Sequence, residues 1–404
     1  MGIALSEDHQ LLVNTVRDFA RAELTSRDAE WDRTETSCCT ELDQLYDMGL
    51  MSLRVPEEYG GLDCPVVPYA HIIRELAYAS PSVAVTIAVH SMVCEVVNNF
   101  ARAEVKRDIL PELAQPGNLS AFAISEPNVG SDPASAKTKA ERVAGGWKLN
   151  GAKMWVTNGI SGRWFAVLAR TADNGGSEPQ AQARGRDVAQ AESARPAASN
   201  SKDLCMFLLD AQQKGVERNI IHGKMGIRGS ETSDMSLDNA FVPDETLLGE
   251  PGWGMHIALS ALDGGRIGIA SQAVGIASAC IDLMVEYARQ REQFGEPIAN
   301  FQAIQWMIAD SQTELMASQQ LIDRAAWLKD RGRPFTQEAS MAKLYAAEAA
   351  NRIAYRAVQV HGGYGFVNEF RVERLYRDAR VTSIYEGTSE IQRIVIARNL
   401  LREA

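Results

Sequence analysis

Along the first part of the chain, apolar residues recur at helical spacing. Leu12, Val16, Phe19 and Ala20 fall at i, i+4, i+7 and i+8, and Ser6 stands where an N-cap belongs. Leu42, Leu45 and Tyr46 repeat the pattern ahead of Gly49, a stop signal. Pro81 opens a strongly apolar helix through VAVTIAVHSMVCEVV (83–97), and another helix is predicted over 104–113. Near Gly117 the period changes. KTKAERV, WKLN and AKMWVTN read as short strands, divided at Ala144-Gly145-Gly146 and again at Asn150-Gly151. Asn-Gly tolerates positive φ at both positions, so a hairpin turn is predicted there. WFAVLAR (164–170), LCMFLLD (204–210) and MSLDNAFVP (235–243) continue the strands. From Trp253 the helical period returns over about 253–290, 299–331, 335–360, 370–380 and 388–402. Pro297, Gly332-Arg333-Pro334 and Gly362-Gly363 punctuate these segments. The expectation is an α+β chain of three domains: helical over 1–117, all-β over 118–245, helical over 246–404.

One stretch fits no element. Residues 171–202 contain Val188 as their only aliphatic side chain larger than alanine. Such a segment buries too little surface to offset its ordering entropy, so a flexible surface insertion is expected.

Composition narrows the function. The net charge of -11 supplies no basic face for nucleic acid or an anionic membrane. The six cysteines form no C-x-x-C pair, and no Cys/His cluster has metal-ligand spacing, so free thiols and no metal are expected. MGIALSEDHQ lacks a basic start followed by an apolar stretch, so no signal peptide is expected. The 83–97 stretch carries His90 and Glu95 and is shorter than the roughly 20 residues of a membrane span, so it reads as a buried helix.

Four stretches carry candidate chemistry. FAISEPNVGSD (122–132) joins hydroxyls at Ser125 and Ser131 to Gly130, where backbone N–H groups can hold an anion or carbonyl. It is equally a plain Pro/Asn/Gly turn. MWVTNG (154–159) sets Trp155 and Thr157 on one strand face, which suits a flat heteroaromatic ligand or an ordinary half-buried sheet. In LDGGRIGIASQAVG (262–275), Asp263 and Arg266 lie one helical turn apart and can face a ligand or pair with each other. Gly264 and Gly265 each cost a helix about 1 kcal/mol against alanine, so close packing or a passing ligand is expected there. REQFGEPIANFQ (291–302) and QVHGGYGF (359–366) offer Arg291 and the Gly362-Gly363 pair for a phosphate or nucleotide; helix punctuation explains the glycines equally well. Neither a Walker A loop nor G-x-G-x-x-G after a strand occurs, and G-x-S-x-G is absent.

These stretches, in this order and with RDARVTSIYEGTSEIQR near the end, resemble the acyl-CoA dehydrogenase family, closest to its short-chain, butyryl-CoA-type and short/branched-chain members. The resemblance covers nearly the whole chain. It implies an N-terminal all-α domain, a middle β-barrel or sandwich domain and a C-terminal four-helix bundle. It implies FAD as cofactor, with Phe122, Ile124, Ser125, Gly130 and Ser131 lining the flavin and Trp155, Val156 and Thr157 behind it. Arg291, Phe294, Gln302, Gln359, Gly362 and Gly363 reach the FAD of a neighbouring subunit. Thr388, Ser389 and Glu390 start a helix whose N–H groups favour the pyrophosphate. Ser131, Asp263, Arg266 and Gly387 match positions that meet the acyl-CoA substrate.

Glu386 matches the family's catalytic base, which takes the α-proton while the β-hydrogen moves as hydride to flavin N5. Water exclusion on acyl-CoA binding is expected to raise its pKa toward neutrality. Isovaleryl-type and long-chain members carry the base on the Gly265 helix instead, as a glutamate at the matching position in the isovaleryl type, so glycine there and glutamate at 386 point to the short-chain, medium-chain or 2-methyl-branched pattern. The expected product is a trans-2-enoyl-CoA, and the expected electron acceptor an electron-transfer flavoprotein. A homotetramer, and a bacterial cytoplasm or a mature mitochondrial chain, complete the expectation. An acyl-CoA oxidase passing electrons to oxygen and a non-catalytic flavin-binding or DNA-associated relative are the alternatives. Acyl-chain length is left open.

Overall fold

The computed structural model describes residues 4–171 and 202–402. The expected flexible insertion therefore lies, apart from its end residues Thr171 and Lys202, outside the described residues. Helices α1 (Glu7–Phe19), α2 (Thr25–Thr34), α3 (Asp43–Asp47), α4 (Val66–Ala79), α5 (Pro81–Phe100) and α6 (Ala103–Leu113) come first. Ser6 Oγ caps α1 through the His9 N–H, and Gly49, at φ +73, follows α3. Eight strands follow: β1 (Leu119–Ala123), β2 (Lys139–Val143), β3 (Gly146–Thr157), β4 (Gly162–Thr171), β5 (Leu204–Asp210), β6 (Val216–Ile220), β7 (Thr232–Pro243) and β8 (Leu247–Leu248). Helices α7 (Gly254–Gln290), α8 (Gln302–Asp330), α9 (Thr336–His361), α10 (Arg371–Val381) and α11 (Ser389–Arg402) close the chain. A small hairpin, β9 (Glu292–Gln293) and β10 (Glu296–Pro297), stands between α7 and α8. The α+β architecture of helices, sheet and helices is as expected.

The strands form one eight-stranded mixed sheet in the order β6-β7-β3-β2-β4-β5-β8, with β1 parallel to β4. Asn150-Gly151 is not a turn. β3 runs straight through it, because β2 pairs with 146–150 on one edge and β7 with 146–157 on the other. A strand held on both edges cannot reverse, so the dipeptide forms a bulge: the register slips between Leu149 and Gly151, and Gly151 takes φ +152. A Cβ at Gly151 would stand 2.8 Å from Thr138 Cα. The real hairpin is β2–β3, turning at Gly145 with φ +75.

Three apolar cores hold these layers. One joins the first and last helical segments, with Val16, Ile72 and Leu76 against Ile267, Val274 and Ile353. The sheet's inner face is a second, around Leu149, Phe165, Val167 and Phe207. Its other face packs Ala166, Leu168 and Leu208 against Val85, Val93 and Ile257 of α5 and α7, forming the third. β4 is thus buried on both faces, which explains its unbroken apolar run. α5 and α7 are long and apolar enough to cross a membrane, contrary to the length argument for 83–97. Both are mostly buried inside the protein, as core helices are.

Candidate active site

α10 ends at Val381, and seven residues separate it from α11. The loop between them carries Glu386 at φ +53 and Gly387 at φ +85. A left-handed glutamate is uncommon and marks a conformation that its surroundings impose. The imposed turn lays the carboxylate against α7: a Cβ at Gly265 would fall 2.7 Å from Glu386 Oε2 and 3.1 Å from Met92 Sδ. Gly265 is thus the gap that the Glu386 carboxylate occupies, the reason sought for a helix-interior glycine. Oε2 is closed to solvent and has no hydrogen-bond partner among the described residues. Burial raises the Glu386 carboxyl from its usual 4.5 to about 7, against the pull of Arg266 and Lys343. The protein fold alone does this, where the sequence reading assigned it to substrate binding.

Around the carboxylate the side chains are tightly tied. Arg266 reaches Asp263 and Ser340 Oγ (3.1 Å), and Thr336 donates to the other Asp263 oxygen. Asp263 and Arg266 therefore pair within α7, with both Asp263 oxygens engaged, while buried Arg266 Nε has no hydrogen-bond partner among the described residues. The Tyr385 hydroxyl donates to Gln272 Oε1, and Gln272 Nε2 donates to Pro81 O at 2.8 Å. Buried Lys343 donates to Gly387 O at 2.7 Å. One residue toward the start of α7, a Cβ at Gly264 would meet Lys329 Nζ at 2.6 Å. That ammonium pairs with Glu95 at 2.7 Å, and Arg54 joins at 3.4 Å. Burial raises the Glu95 carboxyl, but these two cations outweigh it and bring it down to about 2. Lys343, Gln272, Gln392, Lys329 and Glu95 escaped the sequence reading. Lys343 alone left a signal there: a single lysine amid the small apolar residues of ASMAKLYAAEAA.

A second region lies at the end of β1. Phe122, Ile124 and Ser125 lead into a tight turn closed by paired backbone bonds between Glu126 and Val129. Glu126 anchors it, accepting from the Lys137 and Thr138 N–H groups, Thr138 Oγ1 and Lys153 Nζ (2.9 Å). Burial lowers the fully buried Lys153 ammonium to about 8. Met154 N donates to Ser125 O at 2.9 Å, which brings this turn against the bulged end of β3. There Trp155 takes φ +61 with its side chain 60% exposed, beside buried Val156 and half-buried Thr157. The bulge breaks the simple alternation expected of Trp155 and Thr157. Gly130 and Ser131 are exposed.

A third group is held by Arg291, whose guanidinium lies 5.6 Å from the centre of the Tyr364 ring. That contact joins the Phe294 hairpin to the Gly362–Phe366 turn. Phe294 is 95% exposed and Phe366 87%. No atom lies within 4 Å of where a Cβ would stand on Gly362 or Gly363. Thr388 Oγ1 caps α11 through the Ile391 N–H, and Ser389 donates to Glu348 at 2.6 Å. The exposed indole beside an anchored turn suits a flavin ring in shape, and the capped start of α11 suits a pyrophosphate in charge.

A buried, unpartnered carboxylate facing a gap in a long core helix is an arrangement suited to taking a proton from a bound ligand. Comparison with known proteins gives the family. Models of the N-terminal, middle and C-terminal domains of acyl-CoA dehydrogenase match residues 6–116, 121–185 and 252–401. The mouse mitochondrial short-chain specific acyl-CoA dehydrogenase is 39% identical over 99% of this chain and 92% of its own. Butyryl-CoA dehydrogenase from Megasphaera elsdenii superposes with a TM-score of 0.90 at 33% identity, over the whole of both chains. A structure described as an electron transferring flavoprotein of Acidaminococcus fermentans matches with a TM-score of 0.91, also at 33% identity over both whole chains. The chain belongs to the acyl-CoA dehydrogenase family and is an oxidoreductase with FAD as its cofactor.

Proposed function

We propose that the chain removes hydrogen across Cα and Cβ of a short-chain acyl-CoA, giving a trans-2-enoyl-CoA, with Glu386 as the base for the α-proton. The observation that carries this reading is the Glu386 carboxylate lodged against Gly265, unpartnered at Oε2 and poised near pH 7. A thioester α-proton is weakly acidic, so its base works best with a pKa near the operating pH in a site closed to water. FAD, when bound, accepts the β-hydrogen as hydride.

In this reading Phe122, Ile124, Ser125, Gly130 and Ser131 line the flavin, with Trp155, Val156 and Thr157 behind it. Thr388, Ser389 and Glu390 offer the α11 start to the pyrophosphate. Ser131 and Gly387 meet the thioester arm, and the Asp263–Arg266 pair borders it. Arg291, Phe294, Gln302, Gln359, Gly362 and Gly363 reach the FAD of a partner copy in a homotetramer. The exposed Phe294 and Phe366 rings support that assembly. Light scattering is expected to give four copies per particle, and a lone monomer would overturn it. The acceptor is an electron-transfer flavoprotein, a reading supported by the Acidaminococcus relative.

The test is anaerobic titration of the flavin-loaded protein with butyryl-, 2-methylbutyryl-, octanoyl- and palmitoyl-CoA. Bleaching of the oxidised flavin band by a short acyl-CoA, abolished in Glu386→Gln, is expected. No bleaching by any of them would end the dehydrogenase reading.

A further inference from the structure

Two buried polar side chains converge on the backbone of the base without touching its carboxylate. Gln392, fully buried on the first turn of α11, donates from Nε2 to Glu386 O at 3.1 Å and to Gly387 O at 2.9 Å. Lys343, fully buried in the middle of α9, donates to the same Gly387 oxygen at 2.7 Å. These oxygens belong to the two consecutive left-handed residues of the loop. A non-glycine residue keeps such a conformation only where its surroundings enforce it, and here the enforcing groups are two donors on two different helices. In a trans peptide the N–H points opposite to the C=O. Pulling both oxygens toward Gln392 and Lys343 therefore turns the Gly387 and Thr388 N–H groups the other way.

We propose that Lys343 and Gln392 are positioning residues for the base. Together they clamp the Glu386–Gly387 turn so that the carboxylate stays lodged at Gly265, and Lys343 also supplies a charge that favours the ionised base. The proposal rests on the dehydrogenase reading and adds how this chain sets its base. The charged surroundings are few. Arg266 on α7 and Lys343 on α9 act on Glu386 from the neighbouring helices. Lys343 itself faces Glu386 first, then Arg266, Glu348 and Glu390. α5 presents the uncharged Met92 at Gly265 and, one residue away at Gly264, Glu95, which is paired with Lys329 of α8 and with Arg54. Burial holds the Lys343 ammonium down to about 8, still above the carboxyl it faces, so the cation is present on the acid side of the Glu386 titration. Gln392 carries no charge, so the two residues separate in their effect: both hold geometry, and one also sets proton affinity.

The experiment compares Lys343→Met, Lys343→Gln and Gln392→Leu with wild type in the flavin-loaded protein. It reads kcat and KM for butyryl-CoA against pH, together with flavin occupancy and Tm. Lys343→Met removes the cation and is expected to move the acid limb of kcat up by about one pH unit. It is also expected to lower the plateau at least tenfold, with KM within threefold. Lys343→Gln, which keeps a donor for Gly387 O, is expected to show the same limb displacement with a smaller plateau loss. Gln392→Leu is expected to lower kcat at every pH and leave the limb in place. An unmoved limb in both Lys343 variants, with flavin and Tm retained, overturns the charge role. An unchanged plateau in Lys343→Met and Gln392→Leu overturns the clamp. Should Lys343→Met not fold, Lys343→Gln reads the same limb. A second readout needs no turnover: the Tm gap between Glu386→Gln and its parent opens above about pH 4.5 and levels off near the folded-state pKa, so in the Lys343→Met background it is expected to level off at higher pH and to be larger. An unchanged gap counts against the charge role. If wild type bleaches with no acyl-CoA, the dehydrogenase reading fails, while the Tm gap still reports on the charge that Lys343 supplies.

Discussion

At the residue scale the base is an unstable tenant of its own site. The Glu386 carboxyl titrates near 7 in the folded protein, against its usual 4.5. Between these values the folded chain holds more proton than the unfolded one, so stability falls as pH rises through the window. Above it the full penalty applies, on the order of 3 kcal/mol for a shift of this size. Glu386→Gln carries no such term. Its Tm is expected to exceed wild type at pH 8 and to match it near pH 4.5, while turnover is lost. A Tm difference that is the same at both pH values would show that the carboxyl is not buried uncompensated. The sign is informative because it runs against the usual effect of a core substitution: the group proposed as the base is one whose charge the fold would be more stable without.

At the element scale, α7 carries two glycines with opposite meanings. At Gly265 an added Cβ meets the free end of a side chain, Glu386 Oε2, which can swing away. At Gly275 it meets backbone: Arg74 O at 2.4 Å and Tyr78 N at 2.9 Å, where α4 crosses. Gly265→Ala is expected to leave Tm unchanged or slightly higher, since alanine favours helix by about 1 kcal/mol, while kcat falls at least tenfold because the base is displaced. Gly275→Ala is expected to lose about 1–3 kcal/mol in urea unfolding by forcing α4 and α7 apart. Equal effects of the two substitutions on stability would contradict this division. The sequence called for a reason at Gly265, because a glycine inside a helical period is anomalous, but it could not say which neighbour required it. The same limit applied at Asn150-Gly151. The dipeptide announces positive φ, and whether that becomes a hairpin or a bulge depends on how many strands hold the segment. Long helices and their ends were legible from period and punctuation, and so was the family, through its motifs. Gln392 and Gln272 were not, and Lys343 showed only as a lone charge among small apolar residues, because their contacts exist only where α7, α9 and α11 meet.

At the scale of the whole molecule, the first helices and the last share one core although the sheet separates them in sequence. Polar ties reinforce the junction at α10, the helix that leads into the base loop. Arg374 Nε donates to Asp28 Oδ2 of α2 at 2.9 Å, and Ser80 Oγ donates to Oδ1 at 2.6 Å, all three residues being buried. Arg377 grips Asp32 at 2.6 Å, and Asp378 accepts from Ile227 N at 2.6 Å, so the sheet segment is tied in as well. The loop that positions Glu386 is thus approached by a helix fixed to both other parts of the chain. Arg374→Met leaves Asp28 buried with only Ser80 as hydrogen-bond donor, a loss of about 3–5 kcal/mol for a broken buried pair. Adding Asp28→Asn removes the orphaned charge and keeps the Ser80 bond, so the double variant is expected to recover more than half of that loss. Urea unfolding of the three proteins, followed by flavin fluorescence and far-ultraviolet circular dichroism, tests the point. The two probes are expected to move together, because no part of the site can loosen without the shared core. A double variant no more stable than Arg374→Met, or a flavin transition that precedes the loss of helix, would mean that α10 is not what joins the site to the rest of the fold.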